Sequence, residues 1–274
     1  GYLTLPAGAP AKNLPTVVLV HGGPWLRDYG TLSTTAQFLA NRGYAVLQVN
    51  YRGSSGYGRA HLRGGIGELG GKMQDDLDDG VKWLIAQGIA DPAKIALMGG
   101  SYGGFATFVG MTRTPTQFAA GVANVGITDL PAFIDLVPAY WDRSRWNRYL
   151  GPSNTLEGRA AMWQRSPLAH VHKLERPMLI THGANDVRVR KDQSERFYGA
   201  ARALGKPVEF HLFENEGHSL GRSENRLIFF AKVETFLAKH IGGRVTEVKA
   251  APPAAPAPGK PEGTTSGQPN PPKG

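Results

Sequence analysis

The sequence feature that most constrains the fold is the segment GGSYGG at positions 99–104. It follows a strand-like apolar run, IALM at 95–98, and precedes a helical pattern, FATFVGMT at 105–112. A G-x-S-x-G pentapeptide between a strand and a helix predicts a nucleophile elbow, in which a strained serine sits on a very tight turn. Gly99 and Gly103 must lack side chains for such a turn to close. The pattern favours Ser101 as a nucleophile over a glycine-rich turn with an incidental serine.

Strand-like and helix-like segments alternate along most of the chain. Apolar or β-branched runs are typical of strands buried on both faces, and they occur at 16–20, 45–49, 95–98, 119–123, 178–180 and 208–213. Helical patterns lie between or after them at 33–41, 73–89, 102–112, 193–204 and 224–240. This alternation predicts an α/β fold with a mostly parallel central sheet and helices on both faces. Together with the elbow, it indicates an α/β-hydrolase fold.

The chain divides by composition into a catalytic domain and a tail. We expect the domain to span 1–243. The residues at 244–274, rich in Pro, Ala and Gly, are predicted to be disordered. The alternation of strands and helices is interrupted between 129 and 167. We expect this stretch to be an excursion that partly covers a site; the alternative is a long connection with one or two helices. The chain begins at Gly1, so we expect a truncated N-terminus, and the compartment stays open.

Composition excludes several classes of function. The chain has no cysteine, which removes disulfides, cysteine nucleophiles and cysteine-based zinc sites. The net charge is +9, but the basic residues are scattered, so nucleic acid is not expected as a partner. No apolar run reaches the roughly 18 residues that span a bilayer. No metal site and no cofactor are predicted, because no cluster of ligands for either is visible.

A serine nucleophile needs a base and an orienting acid, which in elbow hydrolases follow it in the order acid, then histidine. That order removes His21 and His61 from the eight histidines. His218 lies in the segment NEGH, after the last strand-like run and before the final helix, where the base belongs. His211 and His240 fall inside a strand and at a helix end, so they are expected to be structural or surface residues.

Asp186 is the predicted acid because it follows the strand and turn LITHGAN at 179–185. It would accept the Nδ1–H of His218 and stabilise the imidazolium. Its rival is Asp192, which fits better as the cap of the next helix. His182 is expected to be a structural residue at the end of the strand.

The oxyanion hole needs two preorganised donors. The N–H of Tyr102, directly after the nucleophile, is one candidate. The segment HGGP at 21–24 directly follows an early strand, and its glycines allow close backbone approach, so the Gly23 N–H is the second candidate. A simple turn without a binding role is the alternative for this segment.

Several segments together resemble the prolyl oligopeptidase family of serine peptidases, nearest to its acylaminoacyl-peptidase and dipeptidyl-peptidase branch. The matching segments are YLTLPAG, VHGGPWLRD, NYRGSSGYG, GGSYGG, HGANDVRV and NEGH. In that family the hydrolase domain follows an N-terminal β-propeller that restricts access to short peptides, and the resemblance here covers the hydrolase domain only. A propeller is therefore an expected missing partner. His21 stands where prolyl oligopeptidase uses a tyrosine, which implies an oxyanion hole of backbone N–H groups.

The family also lines its S1 pocket from the loops after the elbow strand and the next strand. By that likeness Val125, Ile127 and Trp141 are the candidates, with ordinary core positions as the alternative. The predicted function is Ser-His-Asp cleavage of amide bonds in short peptides. Its alternatives are a carboxylesterase acting on small acyl esters with the same triad, and a binding module that has lost activity. The sequence leaves open whether the chain forms a homo-oligomer.

Overall fold

The computed structural model describes residues 1–246, so most of the predicted tail, at 247–274, lies outside the described residues. Seven strands form one sheet in the order β1-β3-β2-β4-β5-β6-β7, in which β1 pairs with β3 antiparallel and all other pairs are parallel. The strands are β1 (Tyr2–Thr4), β2 (Leu14–Val20), β3 (Ala45–Gln48), β4 (Ala90–Gly100), β5 (Ala120–Asn124), β6 (Met178–Gly183) and β7 (Val208–Phe213).

Helices connect the strands and cover the sheet. They are α1 (Thr34–Asn41), α2 (Arg59–Arg63), α3 (Lys72–Ala86), α4 (Tyr102–Arg113), α5 (Leu130–Asp135), α6 (Arg143–Leu150), α7 (Leu156–Gln164), a 3₁₀-helix (Pro167–Lys173), α8 (Asp192–Ala203) and α9 (Ser223–Ile241). Apolar side chains of α3, α4 and α8 pack on one face of the sheet, and those of α1 and α9 pack on the other. The predicted parallel sheet with helices on both faces is therefore confirmed.

The strand residues divide between these two cores by simple alternation. Val17 belongs to the core under α1 and α9, whereas its neighbour Val18 belongs to the core under α3, α4 and α8. Ala96 and Leu97 in β4 divide in the same way. Successive side chains of a strand point to opposite faces. A continuous apolar run is thus what a strand with helices on both sides requires.

The stretch at 129–167 is an excursion from the alternating pattern. It contains α5, α6 and α7 and no strand, and the 3₁₀-helix then leads back to β6. Asp129, Asp142 and Thr155 accept backbone N–H bonds at the starts of these three helices. These side chains satisfy backbone N–H groups that the first turn of each helix leaves without a partner. Among the described residues, no helix is both long and apolar enough to cross a membrane.

Candidate active site

Ser101 lies at the junction between β4, the middle strand of the sheet, and α4. Its backbone has φ 58° and ψ −117°, a conformation that side-chain-bearing residues rarely adopt. The Ser101 N–H donates to the Asn124 carbonyl at 2.9 Å, and the Ser101 carbonyl accepts from the Phe105 N–H at 3.0 Å. Two hydrogen bonds thus hold the serine in its strained geometry at the carboxyl edge of the sheet.

The glycines around Ser101 have no room for a side chain. A Cβ on Gly103 would lie 2.1 Å from the Val20 carbonyl oxygen, and one on Gly99 would lie 2.5 Å from Gly103 backbone atoms. A Cβ on Gly104 would lie 2.7 Å from the Cα of Gly126. The first two contacts are those expected from the elbow pattern. The third shows that α4 also packs directly on the chain that leaves β5.

His218 and Asp186 meet above the same sheet edge. The Nδ1 of His218 donates to Oδ2 of Asp186 at 2.7 Å. The Asp186 side chain is fully buried, whereas the His218 side chain is 16% exposed. The carboxylate is therefore shielded, and the imidazole reaches the surface of the cavity that also contains Ser101.

The Asp186 carboxylate accepts hydrogen bonds on both of its oxygens. Oδ1 accepts the N–H groups of Arg188 at 2.8 Å and Val189 at 3.0 Å, and Oδ2 lies 3.4 Å from Nε2 of His182. Burial by itself raises the pKa of Asp186. The bonds from His182, His218 and the Val189 N–H outweigh burial, so its pKa lies well below the ordinary value. The group is a carboxylate at neutral pH.

His182 has a structural role that its neighbours fix. It is 0% exposed, and its Nε2 lies 2.8 Å from the Val189 carbonyl oxygen. Because a carbonyl only accepts, Nε2 carries the proton, and Nδ1 accepts from the Ser194 hydroxyl at 2.8 Å. The one ring N–H is therefore donated to the Val189 carbonyl, and the same nitrogen lies 3.4 Å from Oδ2 of Asp186. The rival acid, Asp192, lies in the first turn of α8 with Arg190 3.3 Å away, and it does not cap the helix.

The loop carrying His218 is held by a second carboxylate, that of Glu216. Its oxygens accept the N–H groups of Gly221 and Arg222, each at 2.9 Å, and the side-chain amide of Asn225 at 2.8 Å. The Asn225 amide and these N–H groups lower the pKa of Glu216 below its ordinary value. Glu216 thus joins the loop to the start of α9.

The segment HGGP forms a turn beside Ser101. A Cβ on Gly22 would lie 3.5 Å from the Ser101 Cβ, and Gly23 has φ +44°. The His21 ring is stacked on Tyr51, with 4.3 Å between ring centroids. Its Nδ1 donates to the Gly22 carbonyl, and its Nε2 accepts from the Ser54 hydroxyl, each at 3.0 Å. Burial lowers the pKa of His21, so a neutral ring anchors this turn.

A cavity of about 550 Å³ opens at Ser101, and we call it the acyl cavity. Gly23, Tyr102 and His218 border it together with the serine. Its aromatic lining comes from Trp25, Phe133, Tyr140, Trp141 and Trp146. Most of these residues belong to the excursion at 129–167, whose α5 and α6 form the far wall. Charged groups are few there: Asp142, Arg145 and Arg188.

The structure distributes the three predicted S1 residues between two places. Ile127 and Trp141 line the acyl cavity. Val125 does not; it lines a separate, shallower cavity on another side of Ser101. The cause is its backbone, because Val125 has φ 45° and donates its N–H to the Thr181 carbonyl at 2.9 Å. This conformation is rare for a β-branched residue, and sequence patterns give no sign of it.

Ser101 and His218 border both cavities, but among the described residues no hydrogen bond joins their side chains. Such bonds are often long in ligand-free hydrolases and tighten when substrate binds. Trp25, Phe133 and Trp146 line the cavity but were not among the predicted site residues, and the role of Glu216 was not predicted either. The position of Trp25 directly after HGGP was an available signal. Nothing in the sequence pattern marks Glu216.

Serine, aspartate and histidine follow β4, β6 and β7 in the chain order of the α/β-hydrolase class, and the chain has that fold. Solved structures of peptidases agree. A puromycin-hydrolyzing peptidase of Mycobacterium tuberculosis aligns with a TM-score of 0.84 at 32% identity, over 89% of this chain and 37% of that chain.

The model of the prolyl oligopeptidase family matches residues 31–244. Dipeptidyl aminopeptidase BIII of Pseudoxanthomonas mexicana is 44% identical over 256 residues, 90% of this chain and 37% of that protein. The acylamino-acid-releasing enzyme of Arabidopsis thaliana is 32% identical over 82% of this chain and 30% of that protein. This chain belongs to the prolyl oligopeptidase family. It spans about a third of the length of these relatives.

Proposed function

We propose that residues 1–243 form the catalytic unit of a serine peptidase in which Ser101 is the nucleophile, His218 the general base and Asp186 the residue that orients the base. The observation that carries this proposal is the 2.7 Å hydrogen bond from His218 to a buried carboxylate, beside a cavity that contains the strained Ser101. Family membership supports it, since the similar proteins bear the names of peptidases.

In the acylation step, Ser101 Oγ attacks the carbonyl carbon of an amide while His218 Nε2 accepts the hydroxyl proton. The N–H groups of Gly23 and Tyr102 donate to the oxyanion, and the amino-terminal end of α4 adds its positive dipole. Asp186 stabilises the imidazolium through the bond to Nδ1. The C–N bond then breaks, and the leaving nitrogen takes the proton from Nε2.

Deacylation repeats these steps with water as the nucleophile. His218 accepts a proton from water as its oxygen attacks the acyl carbon of the ester on Ser101. The bond between the acyl carbon and Ser101 Oγ then breaks, Nε2 of His218 returns its proton to Oγ, and the carboxylic acid is released. This chemistry is complete with the side chains and backbone donors named here.

The acyl cavity indicates the class of substrate. Its aromatic walls favour an apolar or aromatic side chain on the residue whose carbonyl is attacked, because such a side chain gains about 25 cal/mol for each Å² of apolar surface buried. The names of the relatives, a dipeptidyl aminopeptidase and an acylamino-acid-releasing enzyme, are consistent with short peptides as substrates. Short peptides are the substrates we propose.

Labelling and turnover together test the function. We expect a fluorophosphonate probe to attach to Ser101, and aminoacyl anilides to be hydrolysed with higher kcat/KM than matched small acyl esters, relative to their spontaneous rates. Ser101→Ala should lose both labelling and turnover, by a factor on the order of 10⁶ in kcat, with an unchanged circular dichroism spectrum.

Ser33→Ala is the matched control. Ser33 caps α1 and lines neither cavity, so its loss should leave labelling intact. Full turnover by the Ser101→Ala variant would refute the assignment. Turnover confined to esters would replace the peptidase with the carboxylesterase.

A further inference from the structure

A second cavity, of about 360 Å³, lies against the same Ser101–His218 pair, and we call it the leaving-side cavity. Ser101 and His218 border both this cavity and the acyl cavity. Its remaining walls come from the chain after β5, including Val125, and from the segment that follows His218. The two catalytic side chains therefore stand between two separate spaces.

The chemistry of amide cleavage gives these two spaces different occupants. The oxyanion donors, Gly23 and Tyr102, border the acyl cavity and are absent from the walls of the other. The acyl part of a substrate must therefore extend into the acyl cavity. The leaving nitrogen takes its proton from His218, so the chain attached to that nitrogen must continue past the imidazole. The leaving-side cavity begins there.

The walls of this cavity have a distinctive chemistry. Leu220, Phe229 and Phe230 supply apolar surface, and Arg226 is the one formally charged side chain in the lining. Arg226 donates to the Ser223 hydroxyl at 3.2 Å. Among the described residues no carboxylate lies within ion-pair distance of it, whereas its neighbour Arg222 lies 3.8 Å from Glu224. The Arg226 guanidinium is exposed and available to an anion.

A guanidinium beside an apolar surface is complementary to the C-terminal residue of a peptide, which carries a carboxylate and a side chain. The free C-terminal carboxylate of a short leaving segment is planar and accepts two parallel N–H bonds from arginine. The side chain of the same segment would contact the phenylalanines.

We propose that the leaving-side cavity binds the released amino acid or dipeptide of the substrate, and that Arg226 pairs with its C-terminal carboxylate. The inference rests on the proposed peptidase function and deepens it. It assigns a preference for cleavage one or two residues from a free C-terminus. Arg226 is then a specificity-determining residue that takes no part in bond cleavage.

Three substrates with one common acyl part test this proposal. One releases an amino acid with a free carboxylate, the second releases the same amino acid as its C-terminal amide, and the third releases an anilide. We expect the wild-type protein to favour the acid over the amide in kcat/KM. Because Arg226 is exposed and an exposed ion pair is modest, the expected preference is about twofold to fivefold.

Arg226→Gln should abolish the preference by lowering kcat/KM for the acid to the value for the amide. Arg222→Gln makes the same change in net charge on a neighbouring arginine outside the cavity lining, and it should keep the preference. Arg226→Glu should invert the preference. A wild-type protein indifferent to the carboxylate, or a preference that survives in Arg226→Gln, would overturn the proposal.

The two proposals fail in different ways. If the wild-type protein leaves the anilide uncleaved and Ser101 unlabelled, the peptidase function itself is wrong, and the leaving-side assignment falls with it. If the anilide is cleaved and Arg222→Gln loses the preference as fully as Arg226→Gln, the effect is long-range electrostatics. That outcome refutes only the carboxylate site.

Discussion

The nucleophile side and the acid–base side of the site are fixed by opposite means. Ser101 is held by a backbone packed so closely that Gly99 and Gly103 cannot carry a Cβ. His218 is held by buried carboxylates, Asp186 on its ring and Glu216 on its loop. One side thus depends on missing side chains and the other on hydrogen-bonded ones. Around Ser101, close backbone contacts exclude any side chain at the two glycines. Around His218, the hydrogen bonds of Asp186 and of Glu216 can each be removed by a single substitution.

The strongest test of the acid–base side is Asp186→Asn. The amide cannot stabilise the imidazolium and favours the wrong tautomer of His218, so kcat should fall by about 10⁴-fold, as known for such a change in a serine protease. The measurement is anilide turnover, with circular dichroism to check folding. Asp192→Asn is the matched control, and it should keep nearly full activity. A larger loss in the control would transfer the role of the acid to Asp192.

The nucleophile side is tested by Gly103→Ala. A methyl group would meet the Val20 carbonyl oxygen at 2.1 Å, a contact that only a backbone shift can relieve. We expect a loss of about 3 kcal/mol in the free energy of unfolding, measured by urea titration, together with loss of probe labelling at Ser101. Gly199→Ala is the control, because nothing lies within 4 Å of its added Cβ. It lies within α8, where alanine should stabilise by up to about 1 kcal/mol.

Substitution of Glu216, which holds the loop, should have a smaller effect than substitution of Asp186, which contacts the catalytic ring. Glu216→Gln leaves one oxygen and turns an amide N–H toward the backbone donors, so the loop should loosen, with kcat reduced by about tenfold or less and Tm lower by a few degrees. Glu214→Gln, on an exposed residue of the same loop, should change neither. An unchanged Tm for Glu216→Gln would show that the loop is held by other contacts.

Acid titration checks the same residue. The pKa of Glu216 in the folded protein lies below its ordinary value of 4.5. Its contribution to stability is therefore present above about pH 4.5 and is lost as the pH falls through the lower, folded-state pKa. The wild-type protein should lose more stability than Glu216→Gln over that acidic range, as measured by Tm at each pH.

Sequence reasoning succeeded where the fold depends on local spacing. The order of strands and helices along the chain predicted the sheet. Within a strand, the assignment of Val17 and Val18 to opposite cores follows from strand geometry alone. The glycine spacing around Ser101 is local in the same way. The wall formed by α5 and α6 was expected only as an excursion, because helices of six and eight residues are shorter than the window over which a helical period is read from sequence.

Long-range hydrogen bonds and unusual backbone conformations could not be predicted from the sequence. His182 was expected to be structural, but its bonds to Ser194 and Val189 depend on how β6 meets α8. The placement of Val125 outside the acyl cavity depends on a positive φ that no neighbouring residue signals. Such features arise from tertiary packing, which local propensity does not encode.

The aromatic wall also gives the molecule an optical property. Trp25, Trp141 and Trp146 are three of its five tryptophans, and their rings lie in contact, with Trp141 stacked on Trp146 at 5.4 Å and Trp25 4.9 Å from Trp146. All three border the acyl cavity. A ligand that displaces water from that surface changes the polarity around most of the indoles in the chain. We therefore expect a ligand in this cavity to change the intrinsic fluorescence of the protein, so that binding can be followed without any attached dye.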